Sequence, residues 1–177
     1  MKIPVVVKEW STIPKRIRKS VSNLRDVDLL IRGGSEGWSI AEYIHHLVEA
    51  NLIASHVVLA ALGKPGCIYD WSWVTPNRDW MTRLSYDRAP IEPAVALLES
   101  LTQHISSLIK LNPRSIRQPI AILDVPGGVP RQSTVGQVLR AEVEHATHHL
   151  ADIDSAKGAS RIAHRSTQRL RSKGTLR

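Results

Sequence analysis

An all-α fold, a four-helix bundle with a long aromatic-rich connection between its second and third helices, is what the sequence predicts. Apolar residues recur at helical spacing in four segments of about 18–24 residues. Capping and breaking residues sit at the ends of those segments, and no segment carries a strong strand pattern. The chain has 177 residues and is 42% hydrophobic, which suits one domain with a sizeable core. The bundle is expected over residues 1–156, followed by a basic, disordered tail over 157–177.

Each element has its own signature. Ile13, Ile17, Val21, Leu24, Val27 and Ile31 are spaced by threes and fours, predicting a helix over about 14–32 that Gly33-Gly34 ends. Ser39 to Glu42 fits a capping box, and the apolar stripe then runs through Ile44, Leu47, Ala54 and Val58 to a stop at Gly63 and Pro65. The connection over 64–89 holds five of the eight aromatics, Tyr69, Trp71, Trp73, Trp80 and Tyr86. A connection that long packs on itself, covers a pocket as a lid, or makes a dimer contact. Pro90 and Pro93 suit the first turn of a third helix, which Asn112-Pro113 ends. Residues 118–131 contain Val125-Pro126-Gly127-Gly128 and read as a turn or small hairpin. Thr134 and Gln137 fit a second capping box, opening a fourth helix expected to stop before Gly158.

Charge and cysteine usage bound the function. The net charge is +8, but seven of the 24 Lys and Arg lie within 155–177, a stretch without Asp or Glu. That leaves 17 basic against 16 acidic residues elsewhere. Nucleic-acid contact is thus expected only through the tail, and a solvated tail without specific function is the stronger reading. A single cysteine, Cys67, excludes an internal disulfide and a cysteine-rich zinc site. The longest uncharged apolar run, 51–63, is shorter than the roughly 20 residues a membrane span needs. A cytoplasmic protein without membrane contact is expected.

Histidine placement points to chemistry. His145 and His149 are four apart, one turn above each other on a helix. Both fall on the flank of the stripe formed by Val138, Leu139, Ala146, Leu150 and Ile153, while His148 faces solvent. On the second helix His46 lies at the edge of the buried face and His45 points nearly opposite. Three imidazoles can hold one divalent ion and leave a coordination position open, as catalytic zinc sites do. Zinc is the leading candidate, with nickel, iron, manganese or copper as alternatives. Glu142 falls near the centre of the apolar stripe, where a carboxylate is costly. It either supports a histidine N–H, helps to move a proton, or reaches water at the bundle's end. By spacing alone, hydrogen-bonded core histidines remain an alternative to ligands.

Trp38 to Leu47, with a histidine eight positions after the tryptophan and just before a leucine, resembles the signature of the DinB/YfiT-like family. His145 and His149 resemble its second motif. The order of helices and the long second connection are similar too, and the resemblance covers most of residues 12–156. It implies a four-helix bundle with an unusual crossover, a divalent metal on His46, His145 and His149, and a homodimer. It also implies a small-molecule substrate, acted on by a hydrolase or by a transferase using a low-molecular-weight thiol such as bacillithiol or mycothiol. This chain departs from the family after the last histidine, where Leu150-Ala151-Asp152 stands in place of an arginine, a glycine and a glutamine. The departure leaves ligation intact and puts a shared substrate in doubt. A non-catalytic helical module binding a ligand or a partner is the other reading.

Overall fold

The computed structural model describes the backbone of residues 4–173 and the side chains of residues 4–158. The first arm is two short helices, α1 (Val5–Ser11) and α2 (Ile13–Val21). Pro14 explains the break. It has no N–H to donate to the carbonyl one turn back, and it suits the first turn of a new helix. Val7, Trp10, Ile13 and Ile17 are fully buried, so the arm keeps one continuous apolar face across the break.

The expected helix over 14–32 is shorter than its periodicity suggests. It ends at Val21, and a 3₁₀ turn over Asp26–Leu30 follows. Ser22 and Asn23 favour turns over helix interior. The Arg25 backbone N–H donates to Asp28 Oδ2 at 3.0 Å, which opens the 3₁₀ turn. Val27 is left 62% exposed, so its place in the stripe was a coincidence of spacing.

Strand β1 (Arg32–Gly33) pairs antiparallel with β2 (Trp38–Ser39) and leads into α3 (Ile40–Gly63). The capping box is present. Ser39 Oγ accepts the Glu42 N–H at 3.2 Å, and the Ser39 N–H donates to Glu42 Oε2 at 2.6 Å. Glu42 is buried, and its carboxylate accepts from Arg32 at 2.7 Å. Burial alone would raise its pKa. The Ser39 N–H and the Arg32 guanidinium outweigh burial and hold it below 4.5. By length and composition α3 is apolar enough to cross a membrane, which the shorter run at 51–63 concealed. Half of that stretch is buried inside the protein, where it forms the central helix of the bundle.

The connection over 64–89 contains β3 (Ile68–Asp70) and α4 (Arg78–Arg83). Helix α5 (Ile91–Leu111) follows as expected. The turn around 125–128 is a hairpin of β4 (Pro119–Leu123) and β5 (Arg131–Thr134), in register Ile122↔Arg131. Strand β3 pairs parallel with β4, making a three-stranded sheet ordered β3-β4-β5. The hairpin agrees with the turn expected over 118–131, whereas β3 was not expected, because it is three residues long and buries none of them.

Helix α6 (Val135–Lys173) opens at Thr134, whose Oγ1 accepts the Gln137 N–H at 3.3 Å. It does not stop before Gly158, as expected, but stays helical through Lys173. One glycine costs a helix about 1 kcal/mol relative to alanine, too little to end it alone. The backbone of the tail is helical as far as Lys173, and residues 174–177 lie outside the described residues. Helix α3 packs on both α5 and α6, and α1 packs on both as well, so four helical arms enclose one core. Asn51 is buried there with every group in use: Trp10 Nε1 donates to its Oδ1 at 2.7 Å, and its Nδ2 donates to Leu47 O.

Replacing Ser39 by Ala should cost about 1 kcal/mol through the lost cap. Replacing Glu42 by Ala should cost about 2 kcal/mol through its charge-assisted bonds. Because the folded pKa of Glu42 is depressed, its stabilisation is complete above pH 4.5 and is lost as pH falls through the folded value. Urea titrations at neutral and acidic pH should therefore show the E42A penalty shrinking in acid.

Candidate metal centre

Helices α3 and α6 bring the three histidines together. His46, His145 and His149 each offer a ring nitrogen, and these nitrogens all lie within 4.8 Å of one another. Ring centroids are 4.7–5.1 Å apart with the planes nearly perpendicular. His46 Nε2 and His145 Nε2 face each other at 3.1 Å. Two nitrogens bound tetrahedrally to one zinc at about 2.1 Å would lie roughly 3.4 Å apart. The donor set, three imidazoles with paired lone-pair positions at this spacing, fits a divalent ion.

Tautomers follow from the other ring nitrogens. His149 Nδ1 donates to Asp152 Oδ2 at 3.1 Å, leaving Nε2 as the lone-pair atom. Asp152 is itself held from the β1–β2 turn: the Ser35 N–H donates to Oδ1 at 2.9 Å and Ser35 Oγ to Oδ2 at 3.0 Å. Burial would raise the Asp152 pKa, but these donors and His149 keep it depressed. His145 Nδ1 lies 3.5 Å from Glu142 Oε2, a long contact. His46 Nδ1 is buried without a partner. Burial, then the two neighbouring imidazoles, push the His46 pKa down to about 3. Burial also lowers that of His149, with Asp152 opposing. Both rings are thus held neutral, the form that ligates a metal.

Aromatic walls fix the rings. Trp38 meets His46 edge-on at 5.0 Å and His149 at 5.9 Å. Tyr43 packs on His149 at 5.2 Å and donates its hydroxyl hydrogen to Gly33 O at 3.0 Å. Gly34, at φ +73°, lets the turn approach. A Cβ there would lie 2.6 Å from the Tyr43 hydroxyl and 2.7 Å from Asp152 Cβ.

The remaining expected positions divide. His148 is exposed, as its place on the helix predicts. His45 is not turned to solvent: it is 7% exposed, stacked on Tyr86 at 4.7 Å, with Nε2 3.0 Å from Ala89 O. The 64–89 connection folds over that side of α3, which no helical wheel can foresee. Glu142 is buried beside His145 rather than reaching water at the bundle's end.

A cavity of about 480 Å³ adjoins His46 and His145 and is lined also by Glu142, Glu49, Asp124 and Trp71. Trp71 is its wall, held by an N–H···O bond to Asp124 at 2.7 Å. Trp73 and Trp80 do not line it; they pack on each other, and Trp80 Nε1 donates to Glu49. A larger cavity of about 770 Å³ between residues 18–30 and 87–92 contains none of the three histidines, so size alone does not mark the site. Sequence reasoning missed Asp152, Ser35 and Glu49. The only available signals were the i, i+3 spacings of Asp152 from His149 and of Glu49 from His46.

Replacing Gly34 by Ala should cost at least about 2 kcal/mol through positive φ and the clash with Tyr43 and Asp152. Replacing Asp152 by Ala should cost about as much by leaving His149 and Ser35 donors unpaired. Chemical denaturation measures both.

The sequence matches the DinB superfamily over residues 9–153. It is 26% identical over 157 residues to a protein of Geobacillus thermodenitrificans that is provisionally named a metal-dependent hydrolase, spanning 85% of this chain and 84% of that protein. A protein of Oceanobacillus iheyensis with the same provisional name is 24% identical over 163 residues, spanning 85% and 86%. The fold superposes on YfiT from Bacillus subtilis with a TM-score of 0.75 at 17% identity, covering 88% of this chain and 85% of that one. YfiT is described as having an unusual four-helix bundle topology. The family match runs through both the His46 segment and the His145–His149 segment, and on it the chain belongs to the DinB superfamily.

Proposed function

We propose that the protein is a metal-dependent hydrolase of a small substrate, with His46, His145 and His149 as the ligands of one divalent ion. The observation that carries this reading is the convergence of three ring nitrogens from two helices beside a cavity. The names of its relatives as metal-dependent hydrolases support it. When bound, such an ion lowers the pKa of water toward neutrality and polarises a carbonyl oxygen. Zinc suits three imidazoles best, with nickel, iron and manganese as the alternatives.

The chain's own residues supply the rest. Asp152 holds His149 in the tautomer with a free Nε2, the carboxylate–histidine arrangement of metal sites. Trp38 and Tyr43 lock the ring orientations and exclude water from that side. Glu142 lines both the cavity and the His145 edge of the site. There it accepts a proton from the attacking water and returns it to the leaving group. Cys67 lies on the 64–89 connection outside the cavity lining and takes no part. Transfer of a low-molecular-weight thiol uses the same ligands and differs only in the nucleophile. The hydrolytic reading is favoured by the relatives' names. Assembly as a homodimer belongs to this proposal too.

Elemental analysis of purified protein should find about one divalent ion per chain. His149→Ala should lose it while keeping the helical circular dichroism of the parent. Asp152→Asn should keep the fold and weaken metal affinity by about 10- to 100-fold. Metal-free protein that takes up no divalent ion would overturn the proposal and leave the histidines as structural core residues.

A further inference from the structure

The cavity beside His46 and His145 has a charge bias of which the proposed hydrolysis uses only Glu142. Glu49, Asp124 and Glu142 line it, and among the described residues no lysine or arginine does. Arg131 pairs with Asp124 at 2.8 Å and offsets one of the three charges. Among the described residues Glu142 has only the long His145 contact. Glu49 accepts from Trp80 Nε1 at 2.9 and 3.0 Å, a neutral donor. Burial raises the Glu49 pKa, against the hydrogen bonds from Trp80 and Tyr86. A carboxylate offers about four lone-pair positions, so Glu49 keeps room for a further donor. The other walls are apolar: Trp71, Ile53, Val74 and Pro76.

Position within the cavity orients a ligand. Glu49 lies three residues after His46, one turn along the same face of α3. Glu142 stands against His145. An ion on the three imidazoles would add positive charge at the histidine end. The two charges of such an ion would outweigh the one of Glu142, so a cationic group is repelled from that end and attracted to Glu49.

Resting on the hydrolase reading for its orientation, we propose that this cavity takes small amine-bearing substrates. The ammonium group binds at Glu49, an apolar body lies along the Ile53, Val74 and Trp71 walls, and the hydrolysable group lies against His46 and His145. Anionic substrates are disfavoured, because among the described residues no lysine or arginine lines the cavity and Glu49 would oppose them.

The test is calorimetric titration of the metal-loaded protein with three probes of matched shape: 2-phenylethylamine, 2-phenylethanol and 3-phenylpropionate. The amine should bind about tenfold more tightly than the alcohol, the ratio a charge-assisted hydrogen bond supplies, and the carboxylate more weakly than either. Glu49→Gln should remove the preference for the amine. Equal affinity for amine and alcohol, tighter binding of the carboxylate, no binding of the amine at millimolar concentration, or an unchanged preference in E49Q would each overturn the inference. The ratio of amine to alcohol in the unsubstituted protein carries the test if E49Q does not fold. Metal content measured on the same samples separates the two readings: a protein that takes up no divalent ion yet still prefers the amine refutes the metal proposal and leaves the cation-binding pocket standing.

Discussion

Everything at the site depends on how α3 lies against α6. That packing sets His46 Nε2 3.1 Å from His145 Nε2, and it places both rings where hydrocarbon would otherwise fill the bundle. Burying the rings of His46 and His149 beside the half-buried His145 costs desolvation, which depresses the basicity of both. The structure offsets part of the cost with polar partners for His149 and His145 and with aromatic walls from Trp38 and Tyr43. Among the described residues His46 Nδ1 has no partner. A site kept at this expense in an otherwise apolar core is a candidate for function rather than for stability.

The site is also held from outside the bundle. The β1–β2 turn reaches Asp152 through Ser35, Tyr43 ties itself to Gly33, and Glu42 takes the Ser39 N–H and the Arg32 guanidinium. Residues 32–43 thus brace α3 and α6 together at the histidine end. A second brace comes from the three-stranded sheet. Strand β3 pairs with β4 across the whole length of α5, which carries the aromatic connection back over α3. Trp71, directly after β3, reaches Asp124, directly after β4, and the cavity opens between that pair and the histidines. The long connection is consequently both a packed cover, over His45, and the wall of a pocket, through Trp71.

Asp152 shows how a residue with no motif of its own can organise the site through distant contacts. At the level of sequence it is one acidic residue three positions after His149. In the fold it is the acceptor that orients His149, and it is bound in turn by a serine 117 positions away. Its carboxylate is 11% exposed, with donors on three sides, so it stays ionised where an isolated buried acid would not.

Much of this protein was legible in order along the chain. Helical periodicity, the Ser39 and Thr134 caps and the Gly and Pro stops located α3, α5 and the start of α6, because these are local effects of backbone hydrogen bonding and one-sided burial. The i, i+4 pair His145 and His149 was readable for the same reason, since a helix makes neighbours of residues one turn apart. The ends of α2 and α6 were misjudged where a periodic stripe continued without burial, at Val27, or where a single glycine was too weak a stop, at Gly158. What no local rule could supply is the contact between distant segments. The parallel pairing of β3 with β4, the burial of His45 under Ala89, the grip of Ser35 on Asp152 and the meeting of His46 with His145 all join residues dozens of positions apart. The sequence by itself determined which helices form and which face each histidine takes. Tertiary packing alone decided that those faces meet at hydrogen-bond distance, because side-chain convergence depends on how helices cross, and crossing is set by the whole core.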